Sequence, residues 1–98
     1  MNIDSLTLAE LRQQIDAIDA EMLQFLNERA QLALRLRQIK VQQGRPIYDP
    51  DRETVVLQRL ERMNKGPLDA DAIRNIFGQV VLRTRELLLS QEVQRVSK

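Results

Sequence analysis

Cysteine and histidine are both absent from this sequence of 98 residues. Their absence excludes disulfides, thiolate or imidazole catalysis, and the usual zinc ligand sets, so no metal site is expected. Any chemistry must therefore come from Arg, Lys, Asp, Glu, Ser and Thr side chains or from the single tyrosine, Tyr48.

An excess of one charge sign is also missing. The chain has 15 basic and 14 acidic residues without a basic block, so we expect no nucleic-acid surface and no anionic-membrane surface. The opening stretch MNIDSLTLAEL carries an early acid and no continuous apolar run. It is therefore expected to be neither a signal peptide nor a transmembrane helix. These features, together with the missing cysteine, favour a cytoplasmic protein.

A long helix is predicted from about residue 7 to residue 43, where helical periodicity runs without Gly or Pro. It would be roughly 55 Å long at 1.5 Å per residue. Thr7 and Glu10 have the spacing of a capping box, and Gly44 supplies a stop. A single domain of this size removes only about two-thirds of its unfolded surface from water. Because so long a helix outreaches a small globule, the sequence predicts a C2 helical dimer.

Two shorter helices are predicted at about residues 49–64 and 69–92. Asp49 and Asp69 can cap their starts, and Pro50 stands at a first helical position, where a missing N–H costs nothing. Val55, Val56, Leu60 and Met63 give the second helix an apolar face. The inward positions expected of the third helix are Ile73, Ile76, Phe77, Val80, Val81, Thr84, Leu87 and Leu88. Residues after about Gln91 are expected to form a polar, fraying tail. The prediction is a single all-α domain over residues 1–98, with one long and two shorter helices.

Arg29 interrupts an apolar stripe on the long helix. The stripe consists of Leu11, Ile15, Ile18, Met22, Phe25, Leu32, Leu36 and Ile39. Lys40 lies eleven residues after Arg29, about 20° around the helix axis and about 16 Å along it, so both cations can converge on one small anion. Arg12 is about 42 Å from Lys40 along a straight helix. It could reach the same anion only from an antiparallel partner chain.

Structural roles remain open for all of these residues on pattern alone. Arg29 can be a snorkelling side chain or half of a buried ion pair. Arg12 and Lys40 can belong to a solvated helix face. The acids Asp49, Asp51 and Glu53 suit a helix start.

The sequence resembles the all-helical class of chorismate mutase, particularly the mutase domain at the front of bifunctional prephenate dehydratases. The resemblance covers about residues 8 to 91 and rests on the ordered segments LRQQIDAIDAEMLQFLNERAQLA, IK, PIYDPDRE and NKGPLDADAIRNIF. It implies an intertwined homodimer of three-helix protomers. It also implies the Claisen rearrangement of chorismate to prephenate, in phenylalanine and tyrosine biosynthesis. This unimolecular reaction needs no cofactor, and its catalyst holds the substrate compact and stabilises charge on the ether oxygen.

The same resemblance assigns roles to individual residues. Arg29 and the Arg12 of a partner chain would bind substrate carboxylates, which suit the planar guanidinium fork. Lys40 would point at the ether oxygen. The remaining expected site residues are Asp49 and Glu53 near the ring hydroxyl, Arg52 beside the site, and Thr84 in place of a serine. Lys40, Arg29 and Glu53 are the expected catalytic residues.

Leu88 departs from the family pattern, which has a glutamine there that shares the ether oxygen with the lysine. Leucine has no donor, and losing such a donor typically costs about 10² to 10³ in rate. Gln91, one turn further along, could compensate in part if the helix end shifts.

Three alternatives stay open on the sequence. An isochorismate-pyruvate lyase would use the same fold and nearly the same site. A weakly active or non-catalytic regulatory module would agree with Leu88. A plain helical-bundle adaptor would leave Arg12, Arg29 and Lys40 unexplained as a set.

Overall fold

Three α-helices make up almost all of the part of the chain that the computed structural model describes, namely the backbone of residues 6–96 and the side chains of residues 6–91. They are α1 (Leu8–Gln42), α2 (Pro50–Met63) and α3 (Ala70–Val96), and no strand occurs within residues 6–96. The predicted all-α fold with one long and two shorter helices is confirmed. The opening stretch at residues 1–5 and the end of the expected tail at residues 97–98 lie outside the described residues.

The third helix ends later than its sequence pattern suggested. It was expected to end near residue 92 but continues to Val96. The segment is polar, yet it contains Glu, Gln and Arg and neither Gly nor Pro. Because such residues have good helix propensity, polarity alone does not end a helix.

The chain divides into two compact units, Met1–Gln31 and Leu32–Lys98. In the first unit, the predicted capping box is present at the start of α1. The Thr7 N–H donates to Glu10 Oε2 at 3.4 Å, and the Glu10 N–H donates to Thr7 Oγ1 at 3.2 Å. The large apolar side chains that follow are exposed in the single chain: Ile15, Ile18, Met22, Leu23, Phe25 and Leu26.

The second unit contains the end of α1, which is closed by Gly44. The Gly44 N–H donates to Val41 O at 3.2 Å, and the Arg45 N–H donates to Lys40 O at 2.8 Å. This pair of bonds is a Schellman motif, which requires a left-handed residue, and Gly44 has φ +67°. The motif turns the chain sharply at Gly44.

The turn between α2 and α3 is organised by Asn64. Its Nδ2 donates to Leu68 O at 2.7 Å, and its Oδ1 accepts from the Gly66 N–H at 3.0 Å. Asp69 then caps α3, accepting from the Ala72 N–H at 2.8 Å. Asn64 therefore holds a short connection that returns α3 along α2.

α2 packs against α3. Val56 and Val81 are the buried apolar residues of the described chain, each 8% exposed. Arg74 is hydrogen bonded to Glu61 across the two helices, and this hydrogen bond raises the pKa of Arg74. Val55 and Met63 from the apolar face of α2 are exposed in the single chain, and so is Ile76, which was expected to point inward from α3. The helical period shows that apolar residues share one face of a helix, but it does not specify which surface covers that face.

None of the helices in the described part of the chain has the length and apolar character needed to cross a membrane.

Candidate active site

Lys40 lies in the last turn of α1 and is half-buried. Its Nζ donates to Ile47 O at 3.4 Å. Because the Schellman motif turns the chain back at Gly44, the residue 47 carbonyl comes within reach of the Lys40 ammonium. The negative end of the α1 dipole also favours a cation here. Lys40 is therefore a positioned cation with two donor hydrogens left for other acceptors.

Asp49 and Arg52 meet at the start of α2. Asp49 is the N-cap residue, and its Oδ1 accepts from the Arg52 N–H at 3.0 Å. The predicted cap is therefore confirmed, and Pro50 follows as the first helical residue. The side chain of Arg52 is exposed. Asp49 can still accept further hydrogen bonds, because a carboxylate has about four lone-pair sites.

Glu53 forms an ion pair that the sequence did not indicate. Its Oε2 lies 3.7 Å from Nε of Arg85 on α3, and the two side chains are 25% and 27% exposed. The guanidinium carbon of Arg85 lies 4.7 Å from the centroid of the Tyr48 ring. Tyr48, Arg85 and Glu53 thus form a continuous cluster that orients the Glu53 carboxylate between the loop and two helices.

Thr84 and Leu88 lie one turn apart on α3, and both are half-buried. The Thr84 hydroxyl donates to Val80 O at 2.7 Å. The backbone carbonyl of Leu88 accepts from Arg37 Nε at 2.8 Å. The Leu88 side chain itself supplies no donor, as its residue type requires.

Arg37, like Arg85, is a residue of this region that sequence reasoning missed. Among residues 6–91 it is the one buried charged side chain, 6% exposed. Leu34, Arg37, Gln38 and Gln91 line a cavity of about 330 Å³. Arg37 stands outside the apolar stripe of α1, so its pattern resembles that of a solvated residue, and the sequence carries no signal that would have identified it.

Arg12 and Arg29 belong to the first unit, Met1–Gln31, which is the N-terminal unit. The other expected site residues belong to the second unit, Leu32–Lys98, which is the C-terminal unit. Arg12 is exposed and Arg29 is half-buried. Within the C-terminal unit, the structure joins Asp49 to the Arg52 backbone and Leu88 to Arg37. Within residues 6–91, no three carboxylates are grouped closely enough to hold a metal ion.

Chemically, the C-terminal unit offers one held ammonium, two carboxylates at the start of α2, and a threonine hydroxyl. Cations of this kind can bind an anionic substrate and stabilise charge that develops on an oxygen. The carboxylates can accept hydrogen bonds from substrate hydroxyl groups.

Comparison with known proteins relates this chain to a family of known activity. Residues 11–88 match the family model described as chorismate mutase type II. A bifunctional chorismate mutase/prephenate dehydratase of Aquifex aeolicus is 40% identical over 78 residues, which are 76% of this chain and 22% of that protein. The Neisseria gonorrhoeae protein of the same name is 42% identical over 79 residues, 81% of this chain and 21% of that protein. The chain thus spans about a fifth of the length of these relatives.

Solved structures show the same likeness. A chorismate mutase of Thermus thermophilus (form II) has a TM-score of 0.79 at 32% identity, covering 83% of this chain and 92% of that one. A Helicobacter pylori chorismate mutase in complex with prephenate has a TM-score of 0.76 at 32% identity, covering 85% and 90%. At these values the three-helix fold is shared over most of both chains.

Proposed function

Because this chain belongs to the chorismate mutase type II family, we propose that it converts chorismate to prephenate. The observation that carries the proposal is the extent of the family match. It runs over residues 11–88, so it includes every expected site residue from Arg12 to Leu88. The likeness to a mutase structure in complex with prephenate supports the same substrate class.

Lys40 is the proposed electrostatic catalyst. In this rearrangement the ether C–O bond breaks while a C–C bond forms within one molecule, and negative charge grows on the ether oxygen. The Lys40 ammonium is held by Ile47 O at 3.4 Å, so its position is set before substrate binds. A cation preorganised in this way stabilises the transition state more than the ground state.

Glu53 and Asp49 are proposed to bind the ring hydroxyl. Both carboxylates are fixed from the α2 start, Glu53 by its ion pair with Arg85 and Asp49 by its capping bond. Thr84 is proposed to turn its hydroxyl from Val80 O to a substrate carboxylate, because a hydroxyl has only one donor hydrogen. Arg52 is proposed as a nearby cation. Fixed acceptors and donors of this kind favour the compact substrate conformer and so remove an entropic part of the barrier.

Arg29 and the Arg12 of a second copy are proposed to bind the two substrate carboxylates. The proposal requires an antiparallel homodimer, because Arg12 lies seventeen positions before Arg29 on one helix. The surface that would form this dimer is the apolar stripe of α1. Ile15, Ile18, Phe25 and Leu32 are each more than half exposed in the single chain, and exposed apolar rows of this kind mark association surfaces.

The activity is tested by following the ultraviolet absorbance of chorismate with purified protein and identifying prephenate as product. Arg29→Ala should abolish turnover without unfolding the chain, because it removes a carboxylate ligand. Arg35→Ala is the matched control, since Arg35 is an exposed cation of the same helix outside the proposed site. The absence of turnover by concentrated wild-type protein would refute the proposal.

The shared site is tested separately by mixing inactive variants. Arg12→Ala and Arg29→Ala damage different parts of each site, so subunit exchange should restore about a quarter of wild-type activity through heterodimers with one intact site. A mixture of Arg29→Ala with Lys40→Ala should remain inactive, because both residues come from the same chain. Equal activity of the two mixtures would contradict the contribution of Arg12 from the partner subunit.

The chorismate mutase reading is preferred to an isochorismate-pyruvate lyase because the relatives described above are named as mutases. Offering both substrates to one preparation tests this preference. Because Leu88 has no hydrogen-bond donor, it favours the second hypothesis of a weakly active or non-catalytic domain. Calorimetry with a transition-state analogue would separate an intact site from a non-catalytic one. We also propose a cytoplasmic location and a role in making phenylalanine and tyrosine.

A further inference from the structure

Arg37 is a buried cation without a carboxylate partner among the described residues. It is 6% exposed, and its Nε donates to the Leu88 carbonyl at 2.8 Å. No other hydrogen bond joins the Arg37 side chain to the described residues. Among the described residues, every fully buried side-chain nitrogen or oxygen has a hydrogen-bond partner. Its two terminal nitrogens therefore reach open space. Buried arginines are ordinarily paired with an anion.

The open space beside Arg37 is the cavity of about 330 Å³ that it lines with Leu34, Gln38 and Gln91. This volume lies in the range of sites for small organic molecules. Gln38 and Gln91 each carry two amide N–H donors and one carbonyl acceptor. Leu34 supplies an apolar wall. All four residues belong to the C-terminal unit.

We propose that this cavity binds a small organic monocarboxylate, with Arg37 as the charge partner and Gln38 and Gln91 as additional donors. The Leu88 carbonyl occupies Nε, so the terminal edge of the guanidinium remains for the ligand. That edge presents two N–H groups at the spacing of the two carboxylate oxygens. A single negative charge balances a single cation, and Leu34 favours an apolar body on the ligand.

This second site is separate from the substrate residues proposed above. Its lining includes neither Lys40 nor Glu53 nor Thr84. It is linked to the substrate residues by Arg37, whose Nε donates to the backbone carbonyl of Leu88. The carboxylate site therefore does not depend on turnover of chorismate, and it can be tested whether or not the chain is a mutase.

The probe is benzoate, titrated into the ¹⁵N-labelled chain of residues 1–98 while the side-chain amide signals of Gln38 and Gln91 are followed by NMR. For a ligand of this size we expect saturable shifts with a Kd of about 1 mM. Benzamide has the same shape without the charge and should produce no saturable shift. Absence of shifts with benzoate, or equal shifts with benzamide, would overturn the proposal.

Variants identify the residue responsible. Arg37→Met keeps an apolar stem and removes the cation, so benzoate binding should weaken at least about tenfold. Gln91→Leu keeps Arg37 and its bond to Leu88, so it remains informative if Arg37→Met does not fold, and it should weaken binding several-fold. Arg29→Met should leave the Gln38 and Gln91 shifts unchanged, which separates this site from the substrate site. Wild-type affinity in both Arg37→Met and Gln91→Leu would refute the assignment.

Discussion

Replacing Leu88 by glutamine should make the proposed mutase faster. The Leu88 carbonyl is held by Arg37 Nε at 2.8 Å, so the turn that carries residue 88 has a fixed backbone. A glutamine amide there would add a second donor at the ether oxygen beside Lys40. One such donor contributes about 10² to 10³ in rate, or roughly 3 to 4 kcal/mol. Ordering a glutamine side chain costs up to about 2 kcal/mol. At that cost about 1 to 2 kcal/mol remains, which corresponds to a gain of about fivefold to thirtyfold.

The gain should appear in kcat rather than in KM, because the added hydrogen bond strengthens as charge develops in the transition state. It is measured by steady-state loss of chorismate absorbance at matched protein concentration. Leu89→Gln is the control, since Leu89 is the adjacent residue and is 41% exposed. Its side chain projects about 100° away around the helix.

The reasoning fails if Leu88→Gln folds normally and its kcat is equal to or below that of the wild type. An equal gain in Leu89→Gln would also refute it, because the effect would then not depend on the direction of the side chain. In either case the placement of residue 88 against the ether oxygen would be wrong.

Three further predictions concern the elements that hold the site. Gly44→Ala should lower the free energy of unfolding by about 1 kcal/mol in urea titration, because φ is +67° although no atom lies within 4 Å of an added Cβ. An unchanged urea midpoint would contradict the left-handed helix end. Arg85→Met should lower the free energy of unfolding by about 1 kcal/mol in the same assay, and it should lower kcat because Glu53 loses its ion pair. Tyr48→Phe keeps the ring that contacts Arg85, so it should leave the free energy of unfolding and kcat unchanged. Asn64→Ala should cost about 1 to 2 kcal/mol by thermal melting through its two turn hydrogen bonds, and a melt equal to wild type would show that solvent replaces them.

The helix ends could be predicted because their hydrogen bonds are local. The Thr7 and Glu10 bonds span three positions, as does the cap formed by Asp49. The stop at Gly44 depends on one backbone conformation that glycine adopts at little cost. Such features depend on only a few consecutive residues, so they can be predicted from a single sequence.

Contacts between distant residues could not be predicted in the same way. Arg37 and Leu88 are 51 positions apart, and their bond exists only because α3 returns to the end of α1. Arg85 meets Tyr48 and Glu53 across the same fold. No spacing rule links these pairs, and each arginine taken alone resembles a solvated helical residue.

The exposed apolar stripe of α1 has a consequence for how the stability of this protein must be measured. If a second copy covers side chains such as Phe25 and Leu32, which are 62% and 67% exposed in the single chain, association and folding share one equilibrium. The midpoint of the unfolding transition then depends on protomer concentration, and dilution lowers the apparent stability of the fold. Melting temperatures of variants are comparable only at equal concentration, and activity per chain should fall as the protein is diluted.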